Sequence, residues 1–211
     1  MNSIYFVKSL EEDFYTKTIK NNKKVNFQSL DNIIKTKIIK PNTKSFNRKR
    51  RLSTTILHKN YQKTYRPQGI IFQTKYKPDH ILPFDLVLLS TAKKIVVHYF
   101  RIKNSIHVYY NHALLPGFDK FIFKTFDELI KKFPNTERAW NEVNKFRKKS
   151  GYNELPKQKY RLVEYNEAVF YKQIKVKLIA IFGYRKKARQ LAKKYNLPHF
   201  VTAKEFYKKY N

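Results

Sequence analysis

Val176-Lys177-Leu178-Ile179-Ala180-Ile181-Phe182 is an apolar run of strand length, closed by Gly183, after which the period of the chain changes. From Arg185 to Tyr195 the residues Ala188, Leu191, Ala192 and Tyr195 recur at three- and four-residue spacing, which predicts a helix with one inward face. Leu197 to Val201 reads as a second strand. Thr202-Ala203-Lys204-Glu205 matches a capping box, in which the Thr hydroxyl and the Glu carboxylate satisfy backbone N–H groups at a helix start, so a last helix follows. Strand, helix, strand, helix in this order favours a parallel pair joined by a crossover. The predicted fold class is α/β or α+β, a mixed β-sheet with helices packed on it, preceded by a long basic extended N-terminal arm.

Upstream, four segments read as strands: Ile70-Ile71-Phe72, Phe84 to Leu89, Ile95 to Phe100 and Ile106 to Tyr110. All are short and rich in β-branched, aromatic or leucine side chains, between Lys, Pro, Ser and Asn. Leu86 to Leu89 does not alternate, which suggests a strand covered on both faces. Phe121 to Phe123 is a candidate fifth. Thr125-Phe126-Asp127-Glu128 is a second capping box and predicts a helix to about Phe133, where Pro134 stops it. Thr136 then opens a helix with Trp140, Val143 and Phe146 on one face, ended by Ser150-Gly151. Its last turn carries Lys145, Arg147, Lys148 and Lys149, a charge that complements the helix dipole and is also available to phosphate.

Between Phe14 and Pro78 the chain has seventeen Lys or Arg residues and one acid, Asp31. So much unbalanced charge repels itself, and a polyanion relieves the repulsion while each docked cation releases a condensed counterion. Residues 1–68 are therefore read as an extended arm ordered only by its partner, and residues 69–211 as the folded domain. Within the first thirteen residues, Ile4, Tyr5, Phe6 and Val7 could add a strand to a partner. Ile33-Ile34 and Ile38-Ile39 are apolar patches inside the arm, each flanked by Lys.

The whole chain of 211 residues has 46 basic and 15 acidic residues, a formal charge of +31. Charge on this scale bears on partners rather than fold, and nucleic acid is the partner it fits, RNA ahead of DNA. The phosphate contacts expected are Arg48, Lys49, Arg50 and Arg51 in the arm, Lys148 and Lys149 at the end of the second helix, and Arg185, Lys186, Lys187 and Arg189 at the start of the next. That last group follows the Gly183 turn, where a helix N-terminus offers free N–H groups to an anion. The 17 Phe and 16 Tyr residues supply an aromatic core. Some of them, Tyr109 and Tyr110 beside Asn111-His112 in particular, could also stack on unpaired bases.

Several classes are set aside. Without cysteine there are no disulfides and no thiolate metal sites. His98, His107 and His112 have no carboxylate at ligand spacing and form no H-x-x-x-H pair, so no metal site is expected. Gly183 stands alone without G-x-G-x-x-G, and no cofactor is expected. No apolar window is long enough to span a membrane. The start has no secretory pattern, and Glu11-Glu12-Asp13 departs from an acid-poor presequence, so an intracellular location is expected. A bias to Lys, Asn, Ile, Tyr and Phe fits an A+T-rich genome, and a mitochondrial, organelle-encoded protein would show it.

Two resemblances are local. The stretch Ala188 to Phe206 is similar to the last helix, strand and helix of a BRCT module, over about 25 residues and without that module's buried Trp. Lys77-Pro78-Asp79 and Pro83-Phe84-Asp85 before strands, with Arg101-Ile102-Lys103 ending the next, resemble the PD-(D/E)XK nuclease core over about 30 residues. That resemblance implies Asp85 as first metal ligand and Lys103 as catalytic lysine. Arg101 stands where the family has its second acid, and a cation there repels the metal and removes a ligand that Mg²⁺ chemistry needs. The leading expectation is a non-catalytic component of a ribonucleoprotein particle, ribosome-like and working beside other proteins of a large assembly, although no ribosomal-protein motif is present. The alternative is a DNA-binding protein or endonuclease with a degenerate core of that kind, from a phage or mobile element.

Overall fold

A computed structural model of the chain describes residues 4–9, 30–41, 43–44, 50–61, 63–64, 68–89, 114–155, 163–184 and 186–210. The strands are β1 (Phe6–Ser9), β2 (Ile38–Ile39), β3 (Thr43–Lys44), β4 (Arg50–Ile56), β5 (Gly69–Gln73), β6 (His80–Leu82), β7 (Glu167–Phe170), β8 (Ile174–Lys175), β9 (Lys177–Phe182) and β10 (His199–Phe200). The helices are α1 (Leu30–Thr36), α2 (Phe126–Lys132), α3 (Thr136–Lys149), α4 (Lys186–Lys194) and α5 (Ala203–Tyr210). Seven strands lie in the order β10-β9-β5-β1-β4-β7-β6, with β3 attached to β4, while β2 and β8 form a separate antiparallel pair. Only β9 and β10 run parallel; the other neighbours are antiparallel. The fold is α+β on a mixed sheet.

The centre of the sheet is buried on both faces. Ile70 and Phe72 of β5 enter one core with Phe6, Leu52, Phe170 and Ile181. The intervening Ile71 enters a second core with Val7, Ala180, Phe182 and Phe206 of α5. Neighbouring residues of one strand point to opposite faces, so a strand covered on both must be apolar throughout. β5 meets that demand, and α4 closes the first face with Ala188 and Ala192.

The C-terminal strand–helix–strand–helix order is as read from sequence, with the parallel β9–β10 pair joined through α4. The capping box at Thr125 is complete, whereas at Thr202 the threonine half forms and Glu205 takes the N–H one residue before the cap. Thr125 accepts from the Glu128 N–H at 3.3 Å, Thr202 accepts from the Glu205 N–H at 3.2 Å, and the two glutamates return bonds to Thr125 N and Val201 N. α3 begins at Thr136 as read from sequence, and the preceding Asn135 caps it by accepting from the Arg138 N–H at 2.8 Å.

Three expectations differ from the structure. Phe84 to Leu89 is not a strand: Leu86–Leu89 forms a 3-10 turn, with the Leu88 N–H bonded to the Asp85 carbonyl. Its unbroken apolarity reflects a tight turn sunk in the core, where Phe84, Leu88 and Leu89 are fully buried. Phe118–Phe121 is a second 3-10 turn, and Phe123 makes an isolated bridge to Ile81 where a short strand was read. The segment read as an arm, residues 1–68, supplies β1 and β4 to the middle of the sheet and packs Leu30 and Ile33 of α1 into the core, so Gly69 does not mark where the core begins. Charge counting hid the β-branched run Thr54-Thr55-Ile56. Ile4 to Val7, read as a strand for a partner, serves this chain's own sheet. The strands read over Ile95–Phe100 and Ile106–Tyr110 lie outside the described residues.

Gly69 sits where β5 crosses closest to β1. A Cβ there would meet the Lys8 carbonyl oxygen and lie 3.0 Å from the Phe182 ring. Backbone cannot yield as a side-chain tip does, so Gly69→Ala should lower the urea unfolding midpoint by the equivalent of about 1–3 kcal/mol. An unchanged midpoint would show that the close approach is not needed.

Candidate nucleic-acid interface

The expected phosphate contacts separate into distinct settings. Arg48, Lys49 and Arg185 lie outside the described residues. Arg50 opens β4 opposite Lys44, and Lys187 stands in the first turn of α4. Lys148 is exposed and pairs with Glu154 at 3.7 Å, while Lys149, Lys186 and Arg189 are exposed.

Arg51 is placed differently. Its side chain is 12% exposed and lies 3.5 Å from Glu167, an ion-pair contact without hydrogen-bond geometry. Alternation along β4 puts Arg51 and Ser53 on one face, and the register with β7 brings Glu167 beside them. Glu167 also accepts from the Ser53 hydroxyl and, through Oε2, from the Leu86 N–H at 2.8 Å, at the start of the 3-10 turn. Arg51 is thus a largely covered charge with an internal acid beside it, unlike the exposed cations among the expected contacts. Arg147 in the last turn of α3 is likewise internal. At 2% exposure it donates to the carbonyls of Leu88 (3.0 Å) and Asn153 (3.2 Å), and burial pulls its pKa below the usual arginine range.

The acids of the nuclease resemblance have internal partners. The Tyr165 hydroxyl donates to Asp85 Oδ2 at 2.7 Å, and the Tyr171 N–H donates to Asp79 Oδ2 at 2.8 Å. Asp85 precedes a 3-10 turn, not a strand, while Arg101 and Lys103 lie outside the described residues, as do His98, His107, His112, Tyr109 and Tyr110. Among the described residues no three His, Asp or Glu side chains are grouped to hold a metal ion. Also among them, no helix is long and apolar enough to cross a membrane.

The strongest electrostatic feature emerges only in three dimensions. From Ala168 to Lys204 the sequence has ten Lys or Arg residues and no acid. This stretch builds β8, β9, α4 and β10, the end of the sheet. The side chains of Lys172, Lys175, Lys177, Lys186, Arg189, Lys193, Lys194 and Lys204 are all exposed. Among the described residues Lys172, Lys175, Lys177, Lys186, Arg189 and Lys193 form no ion pair. α4 turns Ala188 and Ala192 inward and Lys186, Arg189, Lys193 and Lys194 outward. Lys193 and Lys194 complement the dipole at its C-terminal end, but Lys186 at the N-terminal end opposes it, an arrangement that an external anion improves.

A second basic segment joins this edge through β2. Ile38 pairs with Lys175 and Ile39 with Ile174, and the Val176 N–H donates to the Lys37 carbonyl at 2.9 Å. Exposed Lys35, Lys37 and Lys40 are thereby brought beside Lys175 and Lys177. Between the two segments lies a cleft of about 490 Å³ lined by Ile34, Lys37, Val176, Lys177, Leu178, Tyr195 and Leu197. Sequence reasoning missed this convergence; the lack of acids between Glu167 and Glu205 was the one signal that pointed to it. No protein-family model, curated protein or solved structure matches this chain.

Two outcomes test the internal charges. Glu167→Ala strands Arg51 in the interior and uncaps Leu86, and it should cost about 3–5 kcal/mol in urea unfolding, with much of the loss recovered in the Arg51→Met, Glu167→Ala double variant. A loss under about 1 kcal/mol would mean that the pair has no structural weight. His80 is held below the ordinary histidine range by burial and then by the Lys124 cation, against the pull of Asp79; burial and then Lys59 do the same to His58. As pH falls through 6.5, the unfolded chain takes up these protons before the folded one, so stability present above that pH declines below it. The unfolding temperature should fall between pH 7.5 and 5.5, and His80→Gln should flatten the dependence; parallel profiles would count against His80.

Proposed function

We propose that the protein is a non-catalytic, RNA-binding component of a ribonucleoprotein particle, ribosome-like and organellar, which docks on RNA phosphates through its basic surface. The observation that carries this reading is the acid-free run from Ala168 to Lys204, folded at one end of the sheet with Lys172, Lys175, Lys177, Lys186, Arg189 and Lys193 exposed. Lys35, Lys37 and Lys40 extend the same surface across the β2–β8 pair. Exposed charges of one sign in such density repel one another, and phosphates relieve the repulsion while releasing counterions. The basic residues between Phe14 and Arg66, Arg48 and Lys49 among them, add to the same field. A bias toward Lys, Asn, Ile, Tyr and Phe supports an organelle-encoded origin. Other proteins of the particle would be its neighbours.

Lys186, Arg189 and Lys193 are exposed and form no ion pair among the described residues, and the dipole effects of reversing Lys186 and Lys193 at opposite ends of α4 oppose each other, so the triple change to Glu should leave the unfolding temperature nearly unchanged. It should weaken binding to a structured RNA, and it should flatten the slope of log affinity against log salt by about 2–3. An unchanged slope would remove α4 from the interface. Sedimentation of the native protein with a large particle, and recovery of one dominant structured RNA, is expected. Free sedimentation, or recovery of DNA alone, would overturn the ribonucleoprotein reading.

A further inference from the structure

The cleft between α1–β2 and the β9–α4 edge differs in chemistry from the surface around it. Among the described residues its walls are aliphatic, from Ile34, Val176, Leu178 and Leu197, with one aromatic ring, Tyr195, and two charged side chains, Lys37 and Lys177. We propose that this cleft takes one unpaired nucleotide of single-stranded RNA, with the base against Tyr195 and the aliphatic wall and the phosphate between Lys37 and Lys177. The inference rests on the RNA-binding reading above and names the form of RNA which that surface selects.

Three observations carry it. The volume, about 490 Å³, lies within the range of small-ligand sites, and the mix of apolar walls with a few polar groups is the usual one. A phosphate alone would leave the aliphatic wall facing water, and an apolar protein segment would leave a rim of lysines without counter-charge. A nucleotide has both a flat apolar ring and a fixed negative charge. The aromatic ring is the second point. Bases of unpaired RNA stack on Tyr, whereas duplex bases are already stacked on one another and cannot enter. Lys194 Nζ lies 4.8 Å from the centroid of the Tyr195 ring, so the ring sits in a cationic field. Third, both sides of the cleft are set in place before any ligand arrives. Lys37 has a left-handed backbone, φ 52°, fixed by its N–H to the Ile33 carbonyl at 2.8 Å and by its carbonyl to Val176 N–H. Asn196, φ 50°, ends α4 in the same conformation and turns the chain so that the Leu197 N–H reaches the Ala192 carbonyl at 2.9 Å. A left-handed non-glycine residue carries backbone strain, and two of them flank this one cleft.

The test measures fluorescence anisotropy of the full-length protein with a labelled mixed-sequence single-stranded RNA and with a duplex RNA of equal length. Tyr195→Ala should weaken single-strand binding about 5- to 100-fold, the range measured for a lost base stack, and change duplex binding less than about 2-fold. Tyr195→Phe should bind as the wild type does, and the Lys37→Gln, Lys177→Gln pair should weaken the single strand more than the duplex. Ultraviolet cross-linking of the wild-type complex should attach RNA to the peptide containing Tyr195, a readout that stands even if Tyr195→Ala does not fold. Equal loss on both RNAs, no loss, or cross-links only elsewhere would overturn the cleft assignment while leaving RNA binding intact. A wild-type protein that binds neither RNA at low salt would overturn the RNA-binding reading itself.

Discussion

Four residues hold the two halves of the sheet together. β1 lies between β5 and β4, with Phe6 opposite both Phe72 and Ile56 and Val7 opposite both Ile71 and Thr55. Without it the sheet separates into β10-β9-β5 on one side and β4-β7-β6 on the other. Phe6 stacks on Phe72 at 5.7 Å and meets the edge of Phe170 at the same distance, so its ring joins the cores of the two halves. Every β1 pairing joins residues about 50 to 65 positions apart, and the loop-closure entropy of those contacts must be met before their burial stabilises anything. The two-faced burial of β5, the fit at Gly69 and the placement of α5 all follow from that one insertion.

Charge is sorted by position with the same economy. Arg51 and Arg147 are taken into the interior, where an acid in one case and two carbonyls in the other receive them. Between Glu167 and Glu205, Lys172, Lys175, Lys177, Lys186, Arg189, Lys193, Lys194 and Lys204 stay outside, and acids that would balance them are absent from the sequence there. Burial needs local compensation. A surface of one sign needs an external one, which is why the two kinds of cation point to different roles although they look alike in a sequence.

The C-terminal elements were legible because three independent signals agreed over Val176 to Tyr210: apolar period, a turn glycine and a capping box. The N-terminal half was not, since each short strand there is embedded in lysine and its partners are distant. Ser53-Thr54-Thr55-Ile56 becomes recognisable as a central strand only once β1 and β7 flank it. Leu86 to Leu89 shows the limit of reading an apolar run: burial was foreseen, but the backbone that achieves it was not. The cleft was out of reach altogether, because its sides come from residues 34–37 and 176–197 and meet through the β2–β8 pair. Lys186 and Arg189 lie exposed on α4, whereas the partner of Arg51 becomes visible only with the strand register.

The two outermost strands are also the shortest in the path, β10 with two residues and β6 with three. On β6 the outer backbone groups of Ile81 are already taken by Phe123, at 3.0 and 2.9 Å. Such truncated margins give an incoming strand little ladder to extend. In a chain with 33 phenylalanine and tyrosine side chains, margins this short among the described strands work against edge-to-edge joining of copies into fibres.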